Sequence, residues 1–182
     1  MAEGNGAFSV AAGTAETSVI PDLSPAAGRV QAALQAAGLE MRVRELPAST
    51  RTAAEAAAAV GCSIAQIIKS LVFRTAKSNE AVLVLVSGAN RVDEARVGAQ
   101  LGEPIEKANA EFVRQHTGFS IGGVPPVGHS APLRTFLDED LLALPELWAA
   151  AGTPHAVFPL TPADLQALIP TAVVLKLRAQ SA

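Results

Sequence analysis

Two almost continuous apolar runs near the middle of the chain predict buried strands. The first run lies within residues 64–73 and is β-branched at its centre, and the second covers residues 81–86. Runs of this length that are rich in Val, Ile and Leu are typical of strands covered on both faces. Because only a short polar segment around Asn79 separates the two runs, we predict that they form a β-hairpin.

Helices are predicted where apolar residues recur every three to four positions between residues that begin and end helices. Ser24 and Pro25 begin the first such segment, and Gly38 ends it. Thr52 and Glu55 match a capping box at the start of an alanine-rich helix. Further helices are predicted at 92–101, at 109–116, around 145–151 and at 162–169. Further strands are predicted at 41–46, within 133–144, at 156–160 and at 172–177.

The order of these elements predicts a mixed α/β domain of α+β-like character. The strands and helices do not alternate regularly, which argues against a doubly wound parallel sheet. The chain has 182 residues, enough for one domain with a substantial core. We therefore predict a single domain over residues 23–182. Residues 1–22 are rich in Gly, Ala, Ser and Thr, and we expect a flexible tail there.

Composition narrows the classes of function. The formal net charge is −3, whereas proteins that bind nucleic acid along a broad surface are usually basic. A nucleic-acid partner is therefore expected to be held at one end only. The single cysteine excludes an internal disulfide framework. No basic residue precedes Arg29 and no run of about 20 apolar residues occurs, so we expect a cytoplasmic protein without a membrane segment.

Lys69 is the most informative single residue because it interrupts the first apolar run. Strand geometry places it on the same face as Ile67, Leu71 and Phe73. Burial of an unpaired ammonium group costs several kcal/mol, so a lysine held in a pocket needs an anionic or dipolar partner. The alternative is a solvated lysine at the edge of the sheet.

A segment rich in Gly and Pro at residues 122–128 is the second candidate site. Gly122 and Gly123 allow backbone N–H groups to approach a ligand closely, and such groups can stabilise a developing oxyanion. His129 follows directly and could bind substrate or transfer a proton. The alternative for this segment is an ordinary turn with a structural histidine. The other candidate substrate-binding residues are Ser87, Asn90, Ser120 and Pro125.

Other side chains that often carry chemistry give weaker signals. Cys62 has no base nearby in the sequence, so we expect a small packing residue and not a nucleophile. The three histidines lack the spacing of metal ligands, and no metal or other cofactor is predicted. The acidic residues at 138–140 are expected to form a solvated surface.

Five stretches of the chain, in this order, resemble the YbaK/prolyl-tRNA-synthetase-associated family of aminoacyl-tRNA editing domains. They are CSIAQIIKSLVFR (62–74), AVLVLVSGANRVD (81–93), TGFSIGGVPPVGH (117–129), LRTFLDEDLL (133–142) and HAVFPLTPADLQALIPTAVVLKL (155–177). Each stretch alone is a modest match, but the ordered set is specific. The resemblance implies a curved mixed β-sheet or partial barrel surrounded by helices.

The resemblance also implies the roles of individual residues. Lys69 would be the key functional residue of a pocket lined by the Gly122–Gly123 loop. Alanine-specific relatives carry a histidine where this chain has His129, whereas cysteine-specific relatives carry a glutamine. This difference argues against a strict preference for cysteinyl-tRNA.

The activity that the resemblance implies is hydrolysis of the ester in a mischarged tRNA that carries a small amino acid such as Ala, Cys, Ser or Pro. The implied partners are the acceptor end of tRNA and, as a second candidate, an aminoacyl-tRNA synthetase. A hydroxyl of the terminal adenosine would help to activate water, so no protein nucleophile is required. Two alternatives stay open: a non-catalytic module that binds tRNA or a synthetase, and a hydrolase of small esters that needs no tRNA.

Overall fold

The computed structural model describes residues 23–179, so the tail predicted for residues 1–22 lies outside the described residues. The helices in this range are α1 (Pro25–Ala36), α2 (Ala53–Val60), α3 (Glu94–Leu101), α4 (Ala110–Thr117) and α5 (Pro162–Leu168). The strands are β1 (Arg44–Glu45), β2 (Ile68–Thr75), β3 (Ala81–Ser87), β4 (Ile105–Lys107), β5 (Arg134–Asp138), β6 (Leu147–Ala150), β7 (Ala156–Leu160) and β8 (Val173–Leu175). Within residues 23–179, no helix combines the length and apolar character that a membrane crossing requires.

The strands form two sheets of mixed direction. The larger sheet has the order β4-β2-β3-β5-β8, and the smaller one has the order β1-β7-β6. Strands β2 and β3 pair in antiparallel fashion, which confirms the predicted hairpin, and Asn79 takes a positive φ of 57° in its turn. Strands β3, β5 and β8 are parallel. The predicted mixed α/β class is confirmed, and the described strands do not close into a barrel.

The predicted capping box at Thr52 is confirmed and fixes the start of α2. The Thr52 hydroxyl accepts a hydrogen bond from the Glu55 amide at 3.2 Å, and the Glu55 carboxylate accepts one from the Thr52 amide at 3.0 Å. Gly61 ends the helix in the left-handed conformation. By contrast, the side chain of Ser24 does not cap α1, because its hydroxyl donates to the Glu45 carboxylate instead.

The helical stretch predicted around residues 145–151 is wrong. Leu147–Ala150 form strand β6, which pairs antiparallel with β7 from Leu147↔Leu160 to Ala150↔Val157. Alanine has the highest helix propensity, but propensity is a weak effect, and here strand pairing together with burial of Trp148 outweighs it. The strand predicted at 41–46 is reduced to the two residues of β1. Strand β4 was not predicted because three residues are too short to show a periodicity.

Strand β2 has a partner along its whole length on one side only. On that side it pairs with β3 from Ile68 to Arg74. On the other side it pairs with β4 at Phe73–Thr75 and makes an isolated bridge from Ile67 to Trp148. The described strands therefore leave an opening in the ladder between these two points, and this open edge borders a cavity.

Candidate functional site

The open edge of β2 borders a cavity of about 500 Å³. The start of α2, the loop at Gly122 and strand β6 supply the other walls. Its lining is mainly apolar and includes Ile68, Val72, Val124 and Trp148. A volume of this size and an apolar wall with a few polar groups are typical of small-ligand sites.

The charged residues of the cavity all carry the same sign. Its lining contains Arg51, Lys69 and Lys107, and it contains neither Asp nor Glu. The whole chain has a net charge of −3, so this concentration of positive charge is local. A concave site with charges of one sign attracts ligands of the opposite sign.

Lys69 lies in this lining, and its ammonium group turns toward the loop after β3. The Lys69 Nζ donates a hydrogen bond to the backbone carbonyl of Asn90. Burial lowers the pKa of Lys69 below its ordinary value, and the nearby Arg91 guanidinium lowers it further. Since an ammonium group has three N–H donors and Asn90 uses one, donors are left for a bound ligand.

Asn90 is held in turn by two carboxylates. Its Nδ2 donates to Asp138 Oδ2 at 2.8 Å and to Asp140 Oδ2 at 2.7 Å. Asp138 is fully buried, and its Oδ1 accepts a bond from the Leu177 amide at 3.2 Å. The expectation of a solvated acidic surface is therefore wrong for Asp138. Both N–H groups of the Asn90 side-chain amide are thus occupied, and Lys69 bonds to the backbone carbonyl of Asn90.

The two glycines of the Gly/Pro segment occupy different places. Gly122 lines the cavity and has a positive φ of 90°, and a methyl group there would lie 2.8 Å from the Arg51 Cγ. Gly123 is buried beside the cavity, and a methyl group there would lie 2.8 Å from the backbone of Thr153. The Gly123 amide donates to the Ser120 carbonyl at 3.0 Å, so this donor is occupied within the loop.

His129 and Pro125 lie on the far side of the same loop and do not contribute to the cavity lining. The Nε2–H of His129 donates to the Pro125 carbonyl at 2.8 Å, and its ring meets Phe119 edge to face. Burial lowers the pKa of His129, although the bond to Pro125 opposes this effect. Ser120 is exposed, and its hydroxyl accepts a bond from Arg114 at 3.4 Å.

Ser87 and Cys62 lie in surroundings that the structure also describes. The Ser87 hydroxyl is buried and donates to the Ala65 carbonyl at 2.8 Å. Burial raises the pKa of Cys62, and the Glu146 carboxylate raises it further, which disfavours the thiolate form. Among residues 23–179, no three His, Cys, Asp or Glu side chains are grouped so that they could hold a metal ion.

Sequence reasoning missed three residues of this site. Arg51 and Lys107 line the cavity, although in the sequence they stand 18 and 38 positions from Lys69 with no shared motif. Ser70 also lines it, and its hydroxyl is buried without a hydrogen-bond partner in the structure. A serine within an apolar strand was the one available signal, and it stood directly beside the lysine.

Comparison with known proteins places this arrangement in a family. The sequence profile described as an aminoacyl-tRNA editing domain matches residues 47–168, a range that includes the α2 start, β2 and the Gly122 loop. The chain belongs to the aminoacyl-tRNA editing domain family. The family resemblance predicted from the five sequence stretches is thereby confirmed, and a deacylase is the enzyme that this membership indicates.

Individual relatives agree with this assignment. A crystal structure of a proposed trans-editing enzyme for prolyl-tRNA synthetase is similar to this editing domain. The two sequences are 55% identical, and the structures superpose with a TM-score of 0.81 over 87% of this chain and 99% of that one. It is 29% identical to the uncharacterized protein YwhH of Bacillus subtilis over 69% of this chain and 80% of that protein. It is 36% identical to the proline–tRNA ligase of Bacillus licheniformis over 64% of this chain, which spans only 20% of the ligase.

Proposed function

We propose that this editing domain removes a small amino acid such as Ala, Cys, Ser or Pro from the 3′ end of a mischarged tRNA. The observation that supports the proposal most directly is the apolar cavity lined by three cations and no carboxylate. The 3′ end of an aminoacyl-tRNA combines phosphate groups, which need cations, with an amino acid side chain, which suits an apolar wall.

In this proposal Lys69 holds the terminal adenosine at its phosphate or ester carbonyl. The ammonium group keeps N–H donors that Asn90 does not use, and these donors suit a negatively charged oxygen of the substrate. A water molecule attacks the ester carbon, the bond from that carbon to the ribose oxygen breaks, and the ribose oxygen takes up a proton. The neighbouring ribose hydroxyl helps to activate the water, so the mechanism requires no nucleophile from the protein.

The Gly122 loop forms the wall opposite Lys69 in the proposed complex. Gly122 leaves room for the substrate, and Gly123 allows the loop to pack on Thr153. Pro125 and His129 stabilise the loop from behind, while Ser120 stands at its exposed end. Asn90 supports Lys69 through its backbone carbonyl, and Ser87 holds the Ala65 carbonyl. We therefore assign the main role of shaping the site for substrate to Ser87, Asn90, Ser120, Pro125 and His129.

The proposed partner is the acceptor end of tRNA in the cytoplasm, with a synthetase as a second candidate partner. The net charge of −3 fits a protein that holds only this end, because three cations and no carboxylate line the cavity. In this proposal the apolar wall of the cavity contacts the side chain of a small amino acid. One methylene group changes discrimination in an apolar pocket by about 1–3 kcal/mol.

A deacylation panel tests the proposal. The purified chain is incubated with tRNAs that carry Ala, Cys, Ser or Pro, and release of the amino acid is measured for wild type and for Lys69→Ala. We expect wild type to deacylate at least one substrate and Lys69→Ala to lose most of this activity with an unchanged circular dichroism spectrum. Binding of charged tRNA without any release would favour the non-catalytic module, and turnover of small esters without tRNA would favour the third alternative.

A further inference from the structure

Ser70 occupies the middle of the open edge of β2. Neither the bridge at Ile67 nor the pairing of β4, which begins at Phe73, reaches it, so no described strand pairs with Ser70 on this side. On the other side Ser70 pairs with Leu85 in β3. Ser70 also lines the cavity.

The direction of the Ser70 backbone groups follows from the hydrogen bonds at the two ends of the strand. The Ile67 carbonyl accepts from the Gly88 amide at 2.7 Å, and the Thr75 amide donates to the Glu80 carbonyl at 2.9 Å, both toward β3. The Ala76 amide donates to the Pro104 carbonyl at 2.9 Å, on the side of β4. The directions of the backbone N–H and C=O groups alternate along a strand. Those of the odd-numbered residues therefore face β3, and those of the even-numbered residues face the opposite edge. The N–H and C=O of Ser70 therefore both face the opening.

The Ser70 side chain adds a second observation. Its hydroxyl oxygen is buried and has no hydrogen-bond partner in the structure. Nearly all buried polar side-chain atoms have a partner, so an orphan at a cavity wall calls for one. A ligand in the cavity is the simplest source of that partner, since Ser70 itself lines the cavity.

We propose that Ser70 binds the aminoacyl group of the substrate through a one-residue β-bridge. This inference rests on the proposed function, and it names the part of the substrate that the strand edge recognises. An aminoacyl ester presents an N–H and a C=O on either side of its α-carbon, as a residue of a β-strand does. Its amino group donates to the Ser70 carbonyl, and its ester carbonyl accepts from the Ser70 amide. The Ser70 hydroxyl then accepts a second bond from the amino group.

The charges of the cavity support this assignment of the amino group. The lining contains no carboxylate, so no anionic side chain there can bind an amine. Neutral acceptors must do so, and the Ser70 carbonyl and hydroxyl are two such acceptors at one place. An extended peptide that adds to an exposed strand edge uses the same backbone hydrogen bonds over several residues.

A substitution at Ser70 separates a binding role from a structural one. Ser70→Ala removes a hydroxyl that has no partner in the free protein, so we expect an unchanged or slightly higher melting temperature. The same change should lower kcat/KM for the best mischarged tRNA of the panel about three- to tenfold, as expected for one lost hydrogen bond. Ser70→Thr keeps the hydroxyl and should retain activity. A Ser70→Ala variant with wild-type kcat/KM would overturn the role of the hydroxyl.

Binding of stable analogues tests the backbone bridge without turnover. The probes are 3′-alanylamino-3′-deoxyadenosine and its 3′-propionylamino counterpart, which lacks the amino group. We expect the alanyl compound to bind more tightly by at least about tenfold, the effect of two lost hydrogen bonds, and to slow hydrogen exchange of the Ser70 amide. Equal affinities, or unchanged exchange at Ser70, would overturn the bridge. If wild type deacylates no tRNA in the panel, the proposed function fails, whereas this binding test still decides the bridge.

Discussion

The Lys69 ammonium group donates a hydrogen bond to the backbone carbonyl of Asn90, which follows the neighbouring strand β3. A backbone carbonyl carries no net charge, so the lysine is oriented without being neutralised. Asn90 itself is fixed through its side chain by Asp138 and Asp140. The cation at the cavity wall is thus held by a dipole, and its charge stays available to an anionic ligand.

We expect Lys69→Ala to reduce deacylation by about 10²–10³-fold, the usual effect of removing one preorganised electrostatic group from an active site. Because Lys69 is half-buried at the cavity wall, the fold should persist. The measurement is single-turnover release of the amino acid from the best substrate of the panel. Lys77→Ala, at an exposed turn position, is the matched control and should retain activity. If Lys69→Ala releases the amino acid at the wild-type rate, the catalytic site lies elsewhere.

Asp138→Asn should destabilise the fold because it places one side-chain amide against another. The Asn90 amide donates to Asp138, so a second donor there leaves a buried group unsatisfied at a cost of about 1–3 kcal/mol. A loss of this size lowers the melting temperature of a domain of this length by about 2–4 °C per kcal/mol. Asp140→Asn is the comparison, since Asp140 is less buried and should cost less. Equal melting temperatures for both variants would contradict the assigned role of Asp138.

The sequence predicted local elements well and long-range contacts poorly. The cap at Thr52 and the hairpin turn at Asn79 depend on residues within a few positions of one another, and both are present. Strand β6 was predicted as a helix because its pairing with β7 depends on residues seven to thirteen positions away. Local patterns carry no signal of such a partner.

The same limit explains the site. Lys69 and Gly122 were both identified from the sequence, and the structure places both in the lining of one cavity. Arg51 and Lys107 were missed because only the packing of α2 and β4 beside β2 brings them there. His129 was identified as a candidate for substrate contact, but the hydrogen bond of its ring to Pro125 turns it into the loop. Its role in substrate binding stays a prediction.

His129 should make the stability of the domain depend on pH. Burial lowers its pKa in the folded state, so the unfolded chain binds a proton more readily. The stability that the neutral ring contributes is complete above the ordinary histidine pKa, and it is lost as the pH falls through the lowered pKa. Between about pH 7 and pH 5 we expect the melting temperature of His129→Gln to fall less than that of wild type. His155→Gln, at an exposed position, is the control and should follow wild type. Parallel curves for wild type and His129→Gln would refute this.

The two loop glycines should respond differently to alanine. At Gly123 the new methyl group would lie 2.8 Å from backbone atoms of Thr153, which cannot move without shifting the loop. At Gly122 the close atom belongs to the flexible Arg51 side chain, although the positive φ of 90° adds strain. We expect Gly123→Ala to lower the melting temperature more than Gly122→Ala. Gly28→Ala in helix α1 meets nothing within 4 Å and should raise stability by about 0.5–1 kcal/mol. A neutral Gly123→Ala would contradict the close packing on Thr153.

Salt dependence should reveal whether Arg51 and Lys107 contact phosphate groups of the tRNA. Each contact to a phosphate of a single strand releases bound counterions. Removal of one contact therefore lowers the slope of log Kd against log salt concentration by about 0.7. We therefore expect Arg51→Ala and Lys107→Ala each to weaken binding of uncharged tRNA at low salt and to flatten this slope by about that amount. Lys176→Ala removes an exposed cation that does not line the cavity, and it should leave the slope unchanged. The single-turnover release rate at saturating tRNA should change little in either cavity variant, because these residues would hold the strand and not the ester. If instead all three variants keep the wild-type slope, then Arg51 and Lys107 do not contact phosphate groups of the tRNA.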